Sequence, residues 1–72
     1  SRAEAHCGLG LAANRELAWE TALGQLKKAV ELKPDYAEAW YAMKTTYEAL
    51  KKFESAVEAL NKALALNPRL SA

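Results

Sequence analysis

The sequence predicts a small all-α protein of one domain, and three observations lead to that prediction. Its 72 residues are rich in Ala, Leu, Glu and Lys, which favour helices, and include only three glycines and two prolines. Apolar residues recur at alternating steps of three and four, the spacing of one helix face. The chain also resembles itself when it is displaced by about 34 residues, the repeat length.

Composition argues against several classes of function. A formal net charge of +1 gives no electrostatic basis for binding nucleic acid or an anionic membrane. The single cysteine cannot form an internal disulfide, which favours a reducing compartment and a cytoplasmic location. The apolar stretches are too short for a transmembrane helix or the core of a signal peptide.

The first half of the chain, about residues 3–36, is predicted to form two helices, over about 2–15 and 18–32. Ser1 and Glu4 have the spacing of a helix start, so the first helix is expected to begin at the terminus. Pro34 cannot continue the second helix. The expected inward faces comprise Ala5, Leu9, Ala12 and Ala13, then Trp19, Ala22, Leu23, Leu26, Ala29 and Val30.

The second half, about residues 37–70, repeats this plan with helices over about 36–50 and 53–66. Asp35 and Glu38 form a helix-start signal, in which both side chains can accept hydrogen bonds from unpaired backbone N–H groups. Pro68 ends the final helix as Pro34 ends the second. The expected inward faces comprise Tyr36, Trp40, Met43, Tyr47 and Leu50, then Phe53, Ala56, Val57, Leu60, Ala63 and Leu64.

The two halves align large residues with large ones and small residues with small ones. The segment AEAWYAMKTTYEALKKFESAVEALNKALALNP resembles a tetratricopeptide repeat, whose 34-residue pattern is Trp-x₂-Leu-Gly-x₂-Tyr, then Ala-x₃-Phe and Pro. The resemblance implies two helix-turn-helix repeats within a single domain, residues 1–72, arranged as four antiparallel helices in a short right-handed α-solenoid. The matching positions are Trp40, Met43, Lys44, Tyr47, Ala56, Leu60 and Pro68, preceded by His6, Leu9, Gly10, Ala13, Ala22, Leu26 and Pro34.

Two features depart from the family pattern. Lys44 stands where the family favours glycine, so its helix must pack more loosely or its side chain must extend outward to solvent. The turns RELAW and LKKFE lack the glycine that commonly reverses the chain there. A domain-swapped form, in which a helix pair straightens and packs against a partner chain, therefore stays open as an alternative.

No constellation of catalytic or metal-binding residues is evident, so the sequence predicts neither an enzyme nor a cofactor. His6 and Cys7 are adjacent, and neighbours on a helix do not face each other. No further His or Cys exists to complete a zinc site. Glu54, Glu58 and Lys62 step by four along one face, as on a solvated helix.

The family resemblance implies a concave groove, lined by the first helix of each repeat, that binds a partner peptide or helix. A tyrosine beside leucine and cysteine, rimmed by Glu and Thr, would suit a mildly apolar or basic peptide. Ordinary solvated surface is the alternative interpretation. The groove-facing candidates carried over by position are Glu4, Cys7, Leu11, Asn14, Glu38, Tyr41, Thr45 and Glu48.

Family members that hold the acidic tails of chaperones use Lys, Arg and Asn in this groove. This chain has no such cationic clamp, so we expect no binding of acidic tails. The corresponding positions are Glu4, Cys7, Gly8, Leu11, Glu38, Ala42 and Thr45.

The last predicted helix has an apolar flank that a following helix would cover, and no polar capping helix is expected after Pro68. Two interpretations follow. The protein is an interaction module from a longer array, or it is a self-associating structural scaffold, evolved or engineered, with no dedicated ligand. Self-association as a homodimer or larger assembly is predicted to use Val57, Leu60 and Leu64.

Overall fold

Two antiparallel helical hairpins lie side by side, as the alternating apolar spacing predicts. The computed structural model describes residues 2–71. Within that range the helices are α1 (Arg2–Arg15), α2 (Trp19–Leu32), α3 (Ala37–Ala49) and α4 (Phe53–Leu66), followed by a terminal 3-10 turn, Pro68–Ser71. No strand occurs among these residues. The all-α prediction is confirmed, and each predicted helix end lies within about one residue of the observed end.

The core lies between the two hairpins. Within each hairpin the helices pack along their length, and α2 also packs against α3. Leu26 of α2 is fully buried in a cluster with Val30, Ala39 and Met43. Trp40, Tyr36 and other half-buried aromatic residues close the edge of this cluster. Alanines at the centre let the helices approach closely.

The predicted inward face of α1 is largely wrong. The buried residues of α1 are Ala3, Cys7, Gly10 and Ala13, so only Ala13 was placed correctly. Ala5 and Ala12 are exposed, and 56% of Leu9 is exposed. The reason is that α1 is the outermost helix of the first hairpin. It packs mainly on α2, whereas α3, which supplied the pattern for the prediction, packs on α2 and α4.

Both hairpin turns close without glycine. Leu17 and Lys51, which are one repeat length apart, each adopt the left-handed conformation with φ 62°. At the first turn the N–H of Ala18 donates to Ala13 O at 2.8 Å, and that of Leu17 donates to Asn14 O at 3.0 Å. The second turn repeats both bonds. These are the two hydrogen bonds of a Schellman motif, which ends a helix and reverses the chain.

The predicted cap of α3 does not form. Its N-cap residue is Tyr36, and no side chain donates to or accepts from the cap. Asp35 lies one residue too early, because the N–H of Tyr36 bonds Lys33 O at 3.0 Å and continues the turn. Trp40 Nε1 instead donates to Pro34 O at 2.8 Å and ties the start of α3 to the preceding turn. Ser1, the counterpart predicted for α1, lies outside the described residues.

Gly10 and Lys44 show how the two hairpins differ in packing. A Cβ on Gly10 would lie 2.6 Å from Leu26 Cγ and 3.3 Å from Ala22 O, so α1 and α2 approach too closely for any side chain there. Lys44, at the corresponding position of α3, places Nζ 3.2 Å from Glu48 Oε1. Its side chain is half-buried, and its ammonium group reaches an exposed carboxylate, which agrees with the second of the two predicted alternatives.

Candidate functional site

A shallow concavity of about 390 Å³ lies across α1, α3 and the terminal 3-10 turn. Five of the eight predicted groove residues line it, namely Leu11, Asn14, Glu38, Tyr41 and Thr45. The helices bring these side chains together because α1 and α3 are the first helices of the two hairpins and lie on the same side of the array. We call this concavity, with Arg15, Ala42 and Leu70, the groove.

The other three predicted residues lie elsewhere. Cys7 is only 3% exposed and belongs to the core cluster, so its side chain cannot form part of an accessible groove surface. Glu4 and Glu48 are exposed but do not line the concavity. Glu48 forms the ion pair with Lys44, which lowers the net negative charge near the groove.

Cys7 and Tyr36 form a hydrogen-bonded pair outside the groove lining. Burial raises the pKa of the Cys7 thiol, a hydrogen bond with Tyr36 lowers it in part, and the charge of Glu38 raises it further. Burial and the bond to Cys7 raise the pKa of Tyr36 to about 12. Both groups are therefore neutral near pH 7, and Cys7 is a packed thiol rather than an activated nucleophile.

Charges of both signs surround the aromatic centre of the groove. Lys44 Nζ lies 5.2 Å from the centroid of the Tyr41 ring, within the range of a cation–π contact. Glu38 and Arg15 are exposed at different parts of the lining. The carboxylate of Glu38 and the guanidinium of Arg15 can each meet a charged group on a bound chain.

Sequence reasoning missed Arg15 and Leu70 as groove residues, and it considered Ala42 only among the positions of the cationic clamp. For Leu70 the signal was present in the repeat itself. Leu70 lies one repeat length after Tyr36, and Tyr41 lies one repeat length after Cys7. Tyr36 contacts Cys7, and one repeat length later Leu70 lies beside Tyr41 in the groove. The two pairs therefore occupy equivalent positions with different residue types.

The side chain of His6 forms a hydrogen bond with the neighbouring helix α2. Its Nδ1 lies 2.6 Å from Gln25 Oε1, so the ring nitrogen donates to an amide oxygen of α2. Within residues 2–71, no group of three or more His, Cys, Asp or Glu side chains is placed to hold a metal ion. None of the described helices is long and apolar enough to cross a bilayer.

Stacked helical hairpins with a groove along their first helices define a helical-repeat protein of the α-solenoid class. Comparison with protein families agrees with this class. Residues 11–72 match the family model described as tetratricopeptide repeat, and the chain belongs to that family. The family in general mediates protein–protein interactions. A search of curated proteins found no match.

Proposed function

We propose that the groove binds a peptide or helical segment of a partner protein, one that carries a large apolar side chain next to a Lys or Arg. The observation that supports this function is the apolar lining shared by three elements. Leu11 of α1, Tyr41 of α3 and Leu70 of the terminal turn surround one concavity. An apolar side chain bound there would be removed from contact with water on several sides at once.

The size of the groove limits the affinity we expect. A volume of about 390 Å³ is at the lower end of ligand sites and accommodates one or two side chains of a peptide. The concavity is open rather than enclosed, and its rim is solvated. We therefore expect dissociation constants of about micromolar or weaker for a short peptide.

Charge favours a basic neighbour for the apolar side chain. Glu38 is exposed on the lining, and Lys44, whose Nζ lies 5.2 Å from the centroid of the Tyr41 ring, is already paired with Glu48. Arg15 lies at another part of the lining, so the basic neighbour is expected on the Glu38 side of the groove. A Lys or Arg of the partner can therefore meet Glu38 while the Lys44–Glu48 pair stays intact. The contact is exposed to solvent, so binding should weaken as salt concentration rises.

Two synthetic peptides with identical leucine positions, one with Lys and one with Glu at all other positions, test the proposal. Titration followed by amide chemical shifts should show the Lys peptide perturbing Leu11, Tyr41 and Thr45, with the Glu peptide weaker by about tenfold. Glu38→Lys should reverse that preference, because it reverses the charge that selects the partner.

Glu31→Lys is the matched control, since Glu31 is exposed on α2 and does not line the groove. This variant should bind both peptides as the parent protein does. Equal binding of the two peptides, or perturbations confined to α4, would contradict the proposal.

A further inference from the structure

The contact between α2 and α3 shows what covers the apolar flank of a second helix in this chain. Leu26 and Val30 of α2 are buried, and Leu23 is half-buried against the same cluster. The covering helix α3 contributes Ala39 and Met43, both buried. The interface is therefore an aliphatic face of α2 packed on small and flexible side chains of α3.

The same face recurs on α4 and lies open. Val57, Leu60 and Leu64 lie one repeat length after Leu23, Leu26 and Val30, respectively. Val57 is 55% exposed, and Leu60 and Leu64 are half-buried, whereas Leu26 is fully buried. Phe53, at the start of the same helix, is also largely exposed.

The complementary face recurs on α1 and also lies open. Ala5 and Leu9 lie one repeat length before Ala39 and Met43. Leu9 is 56% exposed, whereas Met43 is 4% exposed. Ala12, the counterpart of the buried Thr46, is exposed as well. The chain thus presents both halves of its own internal interface, on opposite sides of the array.

We propose that these two faces bind each other between copies: α1 of one copy docks on α4 of another as α3 docks on α2. The occupant of the α4 flank is a second copy, and the α2–α3 contact supplies the geometry. Such a contact joins different surfaces of the two copies, so it does not close into a symmetric dimer. Each added copy exposes a new α4 flank, and assembly continues as an open chain.

The contact between copies lacks two features of the internal one. Within the chain Thr46 bonds Asn14, but their counterparts across the proposed contact, Ala12 and Glu48, cannot form that bond. The half-buried Trp40 is replaced by the smaller His6. Association should therefore be weaker than the internal packing and should appear only as protein concentration rises.

The terminal 3-10 turn competes with the incoming copy. Leu70 corresponds in position to Tyr36, and so does Arg2 at the start of α1. If α1 docks as α3 does, Arg2 of the incoming copy would occupy the position beside Tyr41 that Leu70 of the receiving copy already fills. Removal of residues 70–72 should therefore strengthen association severalfold, and a truncated protein that associates more weakly would contradict this geometry.

Complementation between two variants tests the head-to-tail contact. Leu9→Glu removes the α1 face and leaves the α4 face; Val57→Glu does the reverse. Sedimentation velocity over a hundredfold concentration range should show the parent protein growing past the dimer. Each variant alone should be monomeric. Their equimolar mixture should form a 1:1 dimer and nothing larger, because only one intact pair of faces remains.

A symmetric contact of α4 with α4 predicts a different pattern. Leu9→Glu alone would then self-associate, and mixing would give no new species; either result, or a parent protein that is monomeric throughout, overturns the proposal. Leu9 and Val57 are exposed, so both variants should keep the parent circular dichroism. Ala5→Glu and Val57→Lys provide a second pair if one variant does not fold.

Leu32→Glu is the matched control. Leu32 remains 52% exposed although the α2–α3 contact is formed, so residues at this position lie outside the proposed type of interface. The variant should associate as the parent protein does. Leu9→Glu and Val57→Glu should both bind the Lys peptide as the parent protein does, because neither residue lines the groove, and this separates failure of this proposal from failure of peptide binding.

Discussion

Thr46 of α3 donates a hydrogen bond to Asn14 of α1 across the two hairpins, with 2.8 Å between Oγ1 and Oδ1. Thr46 is fully buried, and its hydroxyl also lies 3.0 Å from Ala42 O in its own helix. The side chains of α1 and α3 have few other contacts, since the hairpins join mainly through α2 and α3. This bond therefore helps set the spacing of the two helices that line the groove.

Thr46→Val should lower the free energy of unfolding by about 1 kcal/mol. Valine keeps the shape of threonine, but Asn14 Oδ1 loses its donor in a partly buried site. Urea unfolding followed by circular dichroism measures the change. Thr45→Val, on the exposed neighbour, is the control and should be close to neutral.

The effect of Thr46→Val should also depend on Asn14. In the Asn14→Ala background the same change should cost much less, because the bond is already absent. Full additivity of the two substitutions would show that the contact does not contribute to stability.

Glycine at either hairpin turn should stabilise the protein. Leu17 and Lys51 adopt a positive φ that costs an L-residue about 1–2 kcal/mol and costs glycine none. Glycine loses more backbone entropy on folding, so we expect a net gain of about 0.5–1 kcal/mol from Leu17→Gly or Lys51→Gly. Leu17 is 68% exposed, so little packing is lost.

Thermal unfolding measures these gains, with about 4–8 °C expected per kcal/mol in a domain of this size. The two substitutions lie at different turns, and their effects should add. Leu17→Ala removes the same contacts but keeps the Cβ, so it should give no gain. A glycine variant that melts no higher than the alanine variant would show that the positive φ at this turn does not destabilise the protein.

The helices and their order could be predicted because they depend on periodic spacing within the chain. The family pattern placed five of the eight groove candidates around one concavity, and binding of a partner there stays a prediction. The buried face of α1 could not be predicted, because burial also depends on which neighbours a helix has. The repeat pattern assumes a helix pair on each side, and α1 has a neighbour on only one side among the described residues. Cys7 was misplaced for a different reason: its side chain packs into the core cluster and bonds Tyr36, so it does not line the groove.

The turns illustrate a second limit of sequence reasoning. The absence of glycine at Leu17 and Lys51 left a domain-swapped form open as an alternative, yet the Schellman hydrogen bonds form at both positions. Packing of each hairpin evidently outweighs a local cost of about 1–2 kcal/mol per turn. Local propensity alone could not predict this balance, because the favourable contribution comes from contacts distant in sequence.

Glycine-to-alanine substitutions in α1 should have opposite effects two residues apart. Gly10→Ala places a Cβ 2.6 Å from Leu26 Cγ and 3.3 Å from the backbone oxygen of Ala22, so α1 and α2 must separate. We expect a loss of about 1–3 kcal/mol. Gly8→Ala meets nothing within 4 Å and should stabilise α1 by up to about 1 kcal/mol.

Urea unfolding of both variants distinguishes packing from propensity, since helix propensity favours alanine equally at the two sites. Gly24→Ala, in the middle of α2 and also without close neighbours, is a further control and should resemble Gly8→Ala. A Gly10→Ala protein as stable as the parent would show that α1 and α2 have room to adjust.

The Cys7–Tyr36 pair should make the protein less stable in alkali. An unfolded tyrosine ionises at about pH 10, whereas burial and the bond to Cys7 raise the pKa of Tyr36 to about 12. Between these values the unfolded state has lost a proton that the folded state retains, so stability should fall as pH rises from about 10 toward 12. The raised pKa of Cys7 acts in the same direction.

Tyr36→Phe isolates the contribution of the tyrosine. Near pH 8 the variant should be less stable than the parent, because the bond to Cys7 is lost. Above about pH 10 the difference should narrow, since phenylalanine has no proton to lose in the unfolded state. The difference in absorbance at about 295 nm between the parent protein and the variant reports phenolate formation by Tyr36. The pH at the midpoint of this change should lie near 12. A midpoint near 10, or a constant difference in stability across this range, would mean that the hydroxyl of Tyr36 is open to solvent.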